Sequence, residues 1–487
     1  LTVNTTGANN TAVGSSALDA NTTGSNLVAL GHGALGANLS ASYNVAVGVQ
    51  CGDALTTGDG NVMMGYNTGT TATTSTQTVL IGYEAGDAIT TASHNTGIGG
   101  AALGACTTGG SNTAVGYLAG GAITGATNNV AVGAYCLDAM TGGGNNVAVG
   151  YSAMGAIVTG SNNVAMGQTA LSAHTSGNQN VAVGQDALTA NTIGSENTAI
   201  GALALSSTTT AGARVAVGYK ASEDLTSGAG TTAVGYQALN ANTTGGSNAA
   251  VGYNALLVDT TGASNTAIGH DSGKTITTGS HNTAIGRQAL GKDSAAVTGG
   301  TNTALGSGTG NDVTSGANNT FLGYNSGDAN SPSGSVTTGS NQFCLGDNDI
   351  SDLFCADTSI SSSDERDKAD ITDFTHGLSF VKQLRPVTYK WDKRSWYAGE
   401  NPTSADILAA VPDGSRKKSR VNLGLLAQEV QTLEQEIGYG NSKEDRLVTS
   451  LTDDEVNMGL KYERIVPILV NAIKELSDEI DSLKAQL

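Results

Sequence analysis

The sequence predicts a mainly β protein, a parallel β-solenoid of 17-residue coils followed by a small α+β region. Three observations carry this expectation. The phrase Asn, Thr or Val, Ala, Val or Ile, Gly recurs with its closing glycine at every seventeenth residue from Gly14 to Gly286. Glycine reaches 68 of 487 residues while aromatics are 4 % and prolines only 5, which excludes both a thick core and a collagen-like or Pro-rich chain. The composition then breaks near residue 360: residues 1–362 hold 19 acidic and 5 basic residues, and residues 363–487 hold the other 22 and 17 of the chain's 41 and 22.

Within one repeat, the residue before the glycine is aliphatic (Val115, Val132, Val149, Met166), and the residue two earlier is Thr or Val (Thr113, Val130, Val147, Val164). Side chains alternate along a strand, so these two share one face and the intervening Ala takes the other. A second phrase such as Tyr236–Leu239 follows, and Thr, Gly, Ser and Asn supply the turns. Seventeen residues suit a coil of two short strands and two turns. One copy is too small to bury its own face, but stacked copies bury a continuous column. Parallel strands stack about 4.8 Å apart, so some twenty coils would run roughly 100 Å. The recurring Asn112, Asn129, Asn146 and Asn163 are expected to stack as an amide ladder. Gly306, Gly323 and Gly346 continue the series at looser spacing.

These NTAVG and NNVAVG phrases resemble the head repeats of trimeric autotransporter adhesins and phage fibres over about residues 5–346. The resemblance implies a left-handed β-roll with three chains side by side. No membrane-anchor barrel follows at the C-terminus, which favours the fibre over the adhesin. The chain begins at Leu1 inside repeat-like sequence, as expected of a fragment or a mature form.

The C-terminal region reads SSSDERDKADI (361–371), LRPVTYKWD (384–392), NLGLLAQEVQTLE (422–434) and LKYERIVPILVNAIKELSDEIDSL (460–483). That order resembles the intramolecular chaperone of endosialidase-type phage tailspikes and fibres. The resemblance implies a domain that trimerises, directs folding of the fibre ahead of it, and then cuts itself off with a serine–lysine dyad. Carried over, the nucleophile is Ser363, the base is Lys368 and the scissile bond is Ser362–Ser363. A serine hydroxyl needs a base, and a lysine serves as one only when neutral, through desolvation or nearby cations. Arg366 is such a cation; Asp364, Glu365 and Asp367 oppose it. From the residues alone, SDERDK reads as an exposed helix start with a Ser cap. Tyr462, Val466, Leu469, Ile473, Leu476, Ile480, Leu483 and Leu487 are spaced 4,3,4,3,4,3,4, a coiled-coil seam. The alternative is an amphipathic helix packed on its own domain. The stretch from Ala398 to Arg420, with RKKSR at its end, reads as a solvated loop, with a phosphate or nucleotide contact as the sharper alternative.

Other chemistry finds little support. A net charge of −19 opposes nucleic acid and anionic membrane as partners. No stretch has the apolar length of a spanning helix. Cys51, Cys106, Cys136, Cys344 and Cys355 form no CxxC pair and read as small buried thiols. The six histidines lack ligand spacing, and Asp19, Asp53, Asp87 and Asp138 do not fall in consecutive coils, so neither metal nor cofactor is expected. The expected organisation is a shaft over 1–346, a neck with the cleavage site over 347–362, and a chaperone domain over 363–487 ending in a coiled coil over 462–487. The expected function is a homotrimeric phage tail fibre, exposed on the virion. Its partners would be other tail proteins and a host surface receptor, a glycan or an outer-membrane component. Its enzymatic activity would be at most single-turnover autoproteolysis. A cell-surface adhesin and a surface-glycan depolymerase are the rival readings.

Overall fold

A computed structural model describes residues 2–291, 296–350, 368–399, 403–452 and 455–486. The chain divides into two compact units, residues 1–298 and 299–487.

The first unit is a parallel solenoid. Seventeen three-residue strands run from β1 (Thr11–Val13) to β17 (Thr283–Ile285), each centred on the Ala of the repeat phrase or its substitute. Each pairs with the next in parallel at a register of 17, as Val130↔Val147, Ala131↔Ala148 and Val132↔Val149 illustrate. The column that stacking buries is the Ala face: Ala131, Ala148, Ala165 and Ala182 are at most 1 % exposed, and Leu137, Met154, Leu171 and Leu188 of the second phrase in the same coils are fully buried too. The aliphatic pair of each strand turns outward instead. Leu30, Met64, Met166 and Ile268 are each between 43 and 46 % exposed. Ala is the commonest residue at this interior position, and Met63, Leu80 and Phe321 take it in their own coils at 1 % exposure or less.

The second strand expected in each coil is absent among the described residues. The segment forms turns in which alternate non-glycine residues have left-handed backbone, Gln237 at φ 51 and Leu239 at φ 53. This conformation costs roughly 1 kcal/mol or more per residue. It persists because it aims successive N–H groups in opposite directions along the stack: Gln237 N donates to Tyr219 O (2.9 Å) and Leu239 N to Ala255 O (2.8 Å). Both faces of the coil are thus hydrogen-bonded to a neighbour without a second strand.

The amide ladder forms as expected. Nδ2 of Asn129 donates to Oδ1 of Asn112 (3.1 Å), Asn146 to Asn129 (3.1 Å) and Asn163 to Asn146 (3.2 Å). Each backbone N–H donates to the same oxygen, and the amide also reaches a carbonyl fourteen residues on, as from Asn146 to Gly160 O at 2.9 Å. Arg214 takes the next ladder position after Asn197 and is 1 % exposed. Its Nε supplies the missing bond, to Gly228 O at 2.6 Å, and Nη1 donates to Thr208 Oγ1 at 2.6 Å. Burial pushes its pKa down to about 10. Cys51, Cys106, Cys136 and Cys344 are buried free thiols, and burial raises Cys51 to about 12 and Cys106 to about 11, which leaves them inert; Cys355 lies outside the described residues.

Asp259 occupies an interior column that elsewhere carries Asn191, Asn242, Thr208, His174, Cys106 or an aliphatic residue. It accepts from Gly262 N at 2.7 Å, and burial outweighs its hydrogen bonds, raising its pKa to about 7 from 3.8. The folded state therefore holds this proton more tightly than the unfolded chain. Stability is expected to fall as pH rises from about 4 to 7 and to stay lower above that. Asp259→Asn keeps the shape and removes the charge. Above pH 7 it is expected to stabilise the coil by ~2–4 kcal/mol, and below pH 4 to change little. Thermal unfolding of both proteins at pH 4 and pH 8 checks the sign.

The second unit contains the strands β18 (Thr303–Leu305), β19 (Thr320–Leu322) and β20 (Phe343–Leu345), again parallel. The step from β19 to β20 is 23 residues, and the extra chain returns Val336 to the interior at 0 % exposure. Beyond it lie α1 (Leu378–Gln383), β21 (Val387–Tyr389), α2 (Ser404–Ala409), β22 (Asn422–Gly424), α3 (Ala427–Glu436), β23 (Thr449–Leu451), β24 (Met458–Leu460) and α4 (Ile465–Gln486). β21 and β22 pair antiparallel, as do β23 and β24. Phe380, Val430, Val448, Ile465 and Ile468 form the core between α1, α3 and α4. No helix among the described residues is long and apolar enough to cross a membrane.

Candidate functional site

Residues 361–367, and with them Ser362, Ser363 and Arg366, lie outside the described residues, as does the helix start expected there. Lys368 opens the described C-terminal region and is exposed. The segment that follows it is strapped to α4. Asn471 Nδ2 donates to Phe374 O, and Glu475 Oε2 accepts from Leu378 N at 2.6 Å. Gly377 lies against the helix backbone, where a Cβ would come within 2.6 Å of Ala472 N. The chain leaving Lys368 is therefore anchored to the terminal helix within ten residues.

A second anchor is a buried carboxylate. Glu434, at the end of α3, is 0 % exposed and accepts from Val448 N, Thr449 N (2.9 Å) and Thr449 Oγ1. A carboxylate is tolerated at such depth only when its lone pairs are occupied in this way. It ties α3 to the start of β23. Arg385 makes a two-pronged ion pair with Glu429, at 3.2 Å for its Nε, between the β21 entry and α3.

The terminal helix has two apolar faces. Ile465, Ile468 and Ala472 pack on the domain's own core. The heptad residues Val466, Leu469, Ile473, Leu476, Ile480 and Leu483 all stay exposed, Ile473 at 67 %. Packing on the domain thus uses other residues of α4 than the seam, and the seam along α4 remains uncovered in the single chain, whereas Tyr462, ahead of the helix, accepts from Leu425 N at 2.9 Å through its hydroxyl.

The RKKSR stretch is exposed but not detached. Lys418 N donates to Trp391 O (2.9 Å), and Arg416 N to the hydroxyl of Tyr397 (2.8 Å). Lys418 Nζ sits 4.9 Å from the Trp396 ring, with Lys393 Nζ at 5.1 Å from Trp391 and 5.8 Å from Trp396. Lys393 in turn donates to the backbone oxygen of Asn348 at 3.0 Å and to its Oδ1 at 3.3 Å. Burial pushes the Lys393 pKa down, against the pull of Asp349 and Asp347. Nothing in the sequence marked Lys393 or Asn348 as partners, because they are 45 residues apart and neither belongs to a motif. The clustering of Trp391, Lys393 and Trp396 in the least repetitive part of the chain was the available signal.

No curated protein matches the chain. Residues 363–439 match the family model described as chaperone of endosialidase, from the expected nucleophile through α3 and the turn behind it. That match and the β-solenoid ahead of it fit a tail fibre with a C-terminal chaperone domain.

Proposed function

We propose that the protein is the repeating subunit of a homotrimeric phage tail fibre that serves in host attachment. Its C-terminal domain would align three chains and then sever its covalent link to the shaft by cleaving Ser362–Ser363, with Ser363 as nucleophile and Lys368 as base. The chaperone-of-endosialidase match directly behind the solenoid is the observation that carries this reading.

Two uncovered apolar surfaces support the homotrimer. Along the shaft, the outward aliphatic residues recur every 17 positions and stack into a continuous stripe. On α4, the heptad seam repeats the situation. Soluble monomers rarely expose contiguous apolar stripes of this kind, and further copies of the chain, whose stripes share the same period, would cover both at once. The repeats also explain the need for an aligning domain. Sliding one chain by one coil relative to its neighbours loses contacts only at the ends, so register between chains is weakly specified by the shaft itself. A trimeric C-terminal domain sets it before the coils assemble.

The test is deletion of residues 363–487. The full chain carrying Ser363→Ala is expected to elute as a single trimeric species by size exclusion with light scattering. The shortened chain is expected to give aggregates or mixed assemblies. Homogeneous soluble trimers from the shortened chain would refute the chaperone role.

A further inference from the structure

We propose that the chaperone domain docks on the last shaft coils through a side-chain surface of its own, so that cutting the connecting chain does not by itself release it. Two sets of contacts within the second unit carry this inference.

The first is an apolar plug. Ile407 of α2, 1 % exposed, packs with Val456 and Ala398 of the chaperone region and with Ala329 of the shaft insertion between β19 and β20. This cluster is separate from the domain's own core around Phe380 and Ile468. Helix α2 is only six residues long, and Ile407 is its single buried residue. A reciprocal capping box between Thr403 and Asp406 holds the helix in shape, with Thr403 N donating to Asp406 Oδ2 at 2.8 Å. The contacts of this short element thus converge on presenting one side chain to the cluster that Ala329 completes.

The second set is polar. Lys393 donates to the main-chain and side-chain oxygens of Asn348, three residues beyond β20, and Asn348 Nδ2 donates to Ser395 Oγ at 3.2 Å. The ammonium is desolvated between Trp391 and Trp396 while it reaches the shaft. A charged donor held in that way makes a stronger bond than an exposed one. It also fixes orientation, since Asn348 is held from both sides. None of these contacts uses residues 351–367, which form the covalent connection.

The docking does not depend on the reading above, but its strength in the assembly does: in a trimer, three such surfaces would act together, and linked weak contacts hold far better than one. Cleavage and release then become two separate events.

The test uses the full chain carrying Ser363→Ala, with a recognition sequence for a site-specific protease in place of residues 356–361. After complete cutting, the shaft piece and the chaperone piece are expected to co-elute on size exclusion. With Ala329→Arg on the shaft side, or Ile407→Asp on the chaperone side, the same cut is expected to give two separate peaks. Each variant is first run uncut against the parent to check its fold, and misfolding of one piece cannot mimic the result from the other side. Separation of the parental pieces on cutting would overturn the proposal, and so would co-elution of all three proteins. Light scattering of the uncut parent and the intact mass of the Ser363 chain report trimerisation and self-cleavage separately, so failure of the fibre reading is distinguishable from failure of the docking.

Discussion

Expression of the intact sequence is expected to yield two pieces, residues 1–362 and 363–487, whereas Ser363→Ala is expected to yield one chain of 48.5 kDa. In the proposed reaction the Ser363 hydroxyl attacks the carbonyl carbon of Ser362. Its proton passes to a neutral lysine amine and then to the departing amide nitrogen, and water hydrolyses the resulting ester. Loss of the hydroxyl removes the nucleophile, so the effect is all or none over hours. Lys368→Arg is expected to be equally inactive, because a guanidinium stays charged and accepts no proton. Lys368 is exposed in the single chain. In the proposed trimer, neighbouring subunits would supply the desolvation that a basic lysine needs. Cleavage is accordingly expected only in the assembled trimer, and Ile473→Asp, which puts a charge in the α4 seam, should stop it while leaving Ser363 and Lys368 untouched. Intact-mass spectrometry of the four proteins decides the matter. Full cleavage of the Ser363→Ala chain at the same bond would remove the dyad, and full cleavage of the Ile473→Asp chain would remove the requirement for assembly.

Replacement of one motif glycine is expected to break the solenoid at that coil. Gly218 has φ 136, a region L side chains rarely adopt, and a Cβ there would lie 2.3 Å from the carbonyl oxygen of Gly235 and 2.6 Å from its carbon. Both are backbone atoms of the next coil, so no rotamer change relieves the clash. Gly218→Val must either push two coils apart or unwind one, at a cost on the order of 3–5 kcal/mol. The nearest contact for a Cβ on Gly142 is instead a side-chain methyl of Thr159 at 3.8 Å, and its φ is ordinary. Gly142→Ala is expected to stay within about 1 kcal/mol of the parent. Limited proteolysis should nick the Gly218→Val protein between its displaced coils and leave the Gly142→Ala protein whole. Equal resistance of both would show that coil spacing is more compliant than this packing implies.

The repeat made much of the shaft legible in advance. A strict 17-residue step admits one register, and the Asn112, Asn129, Asn146 and Asn163 ladder follows from it, since identical side chains at identical positions must stack. The face that would be buried was not legible. Val and Ala alternate in the phrase, and hydrophobicity alone favours Val for the inside. The way the whole coil closes puts the central residue of the phrase inside and sends Val132 and its equivalents outward. The second strand expected per coil does not form, for a related reason: Tyr236–Leu239 has ordinary residues, and only the hydrogen bonds to coils above and below show why Gln237 and Leu239 take left-handed backbone.

In the C-terminal region, short motifs such as NLGLLAQEV announced themselves, and the heptad spacing marked the seam on α4. What joins distant positions did not. Glu434 holding Val448 and Thr449, Lys393 reaching Asn348, and Ile407 meeting Ala329 lie 14 to 78 residues apart in sequence. The period, the register and the point where the chain changes character depend on local spacing, and so can be read along the chain. Which faces are covered, which charges are desolvated and which surfaces remain for a partner depend on what distant parts of the chain bring alongside, and so emerge only on folding.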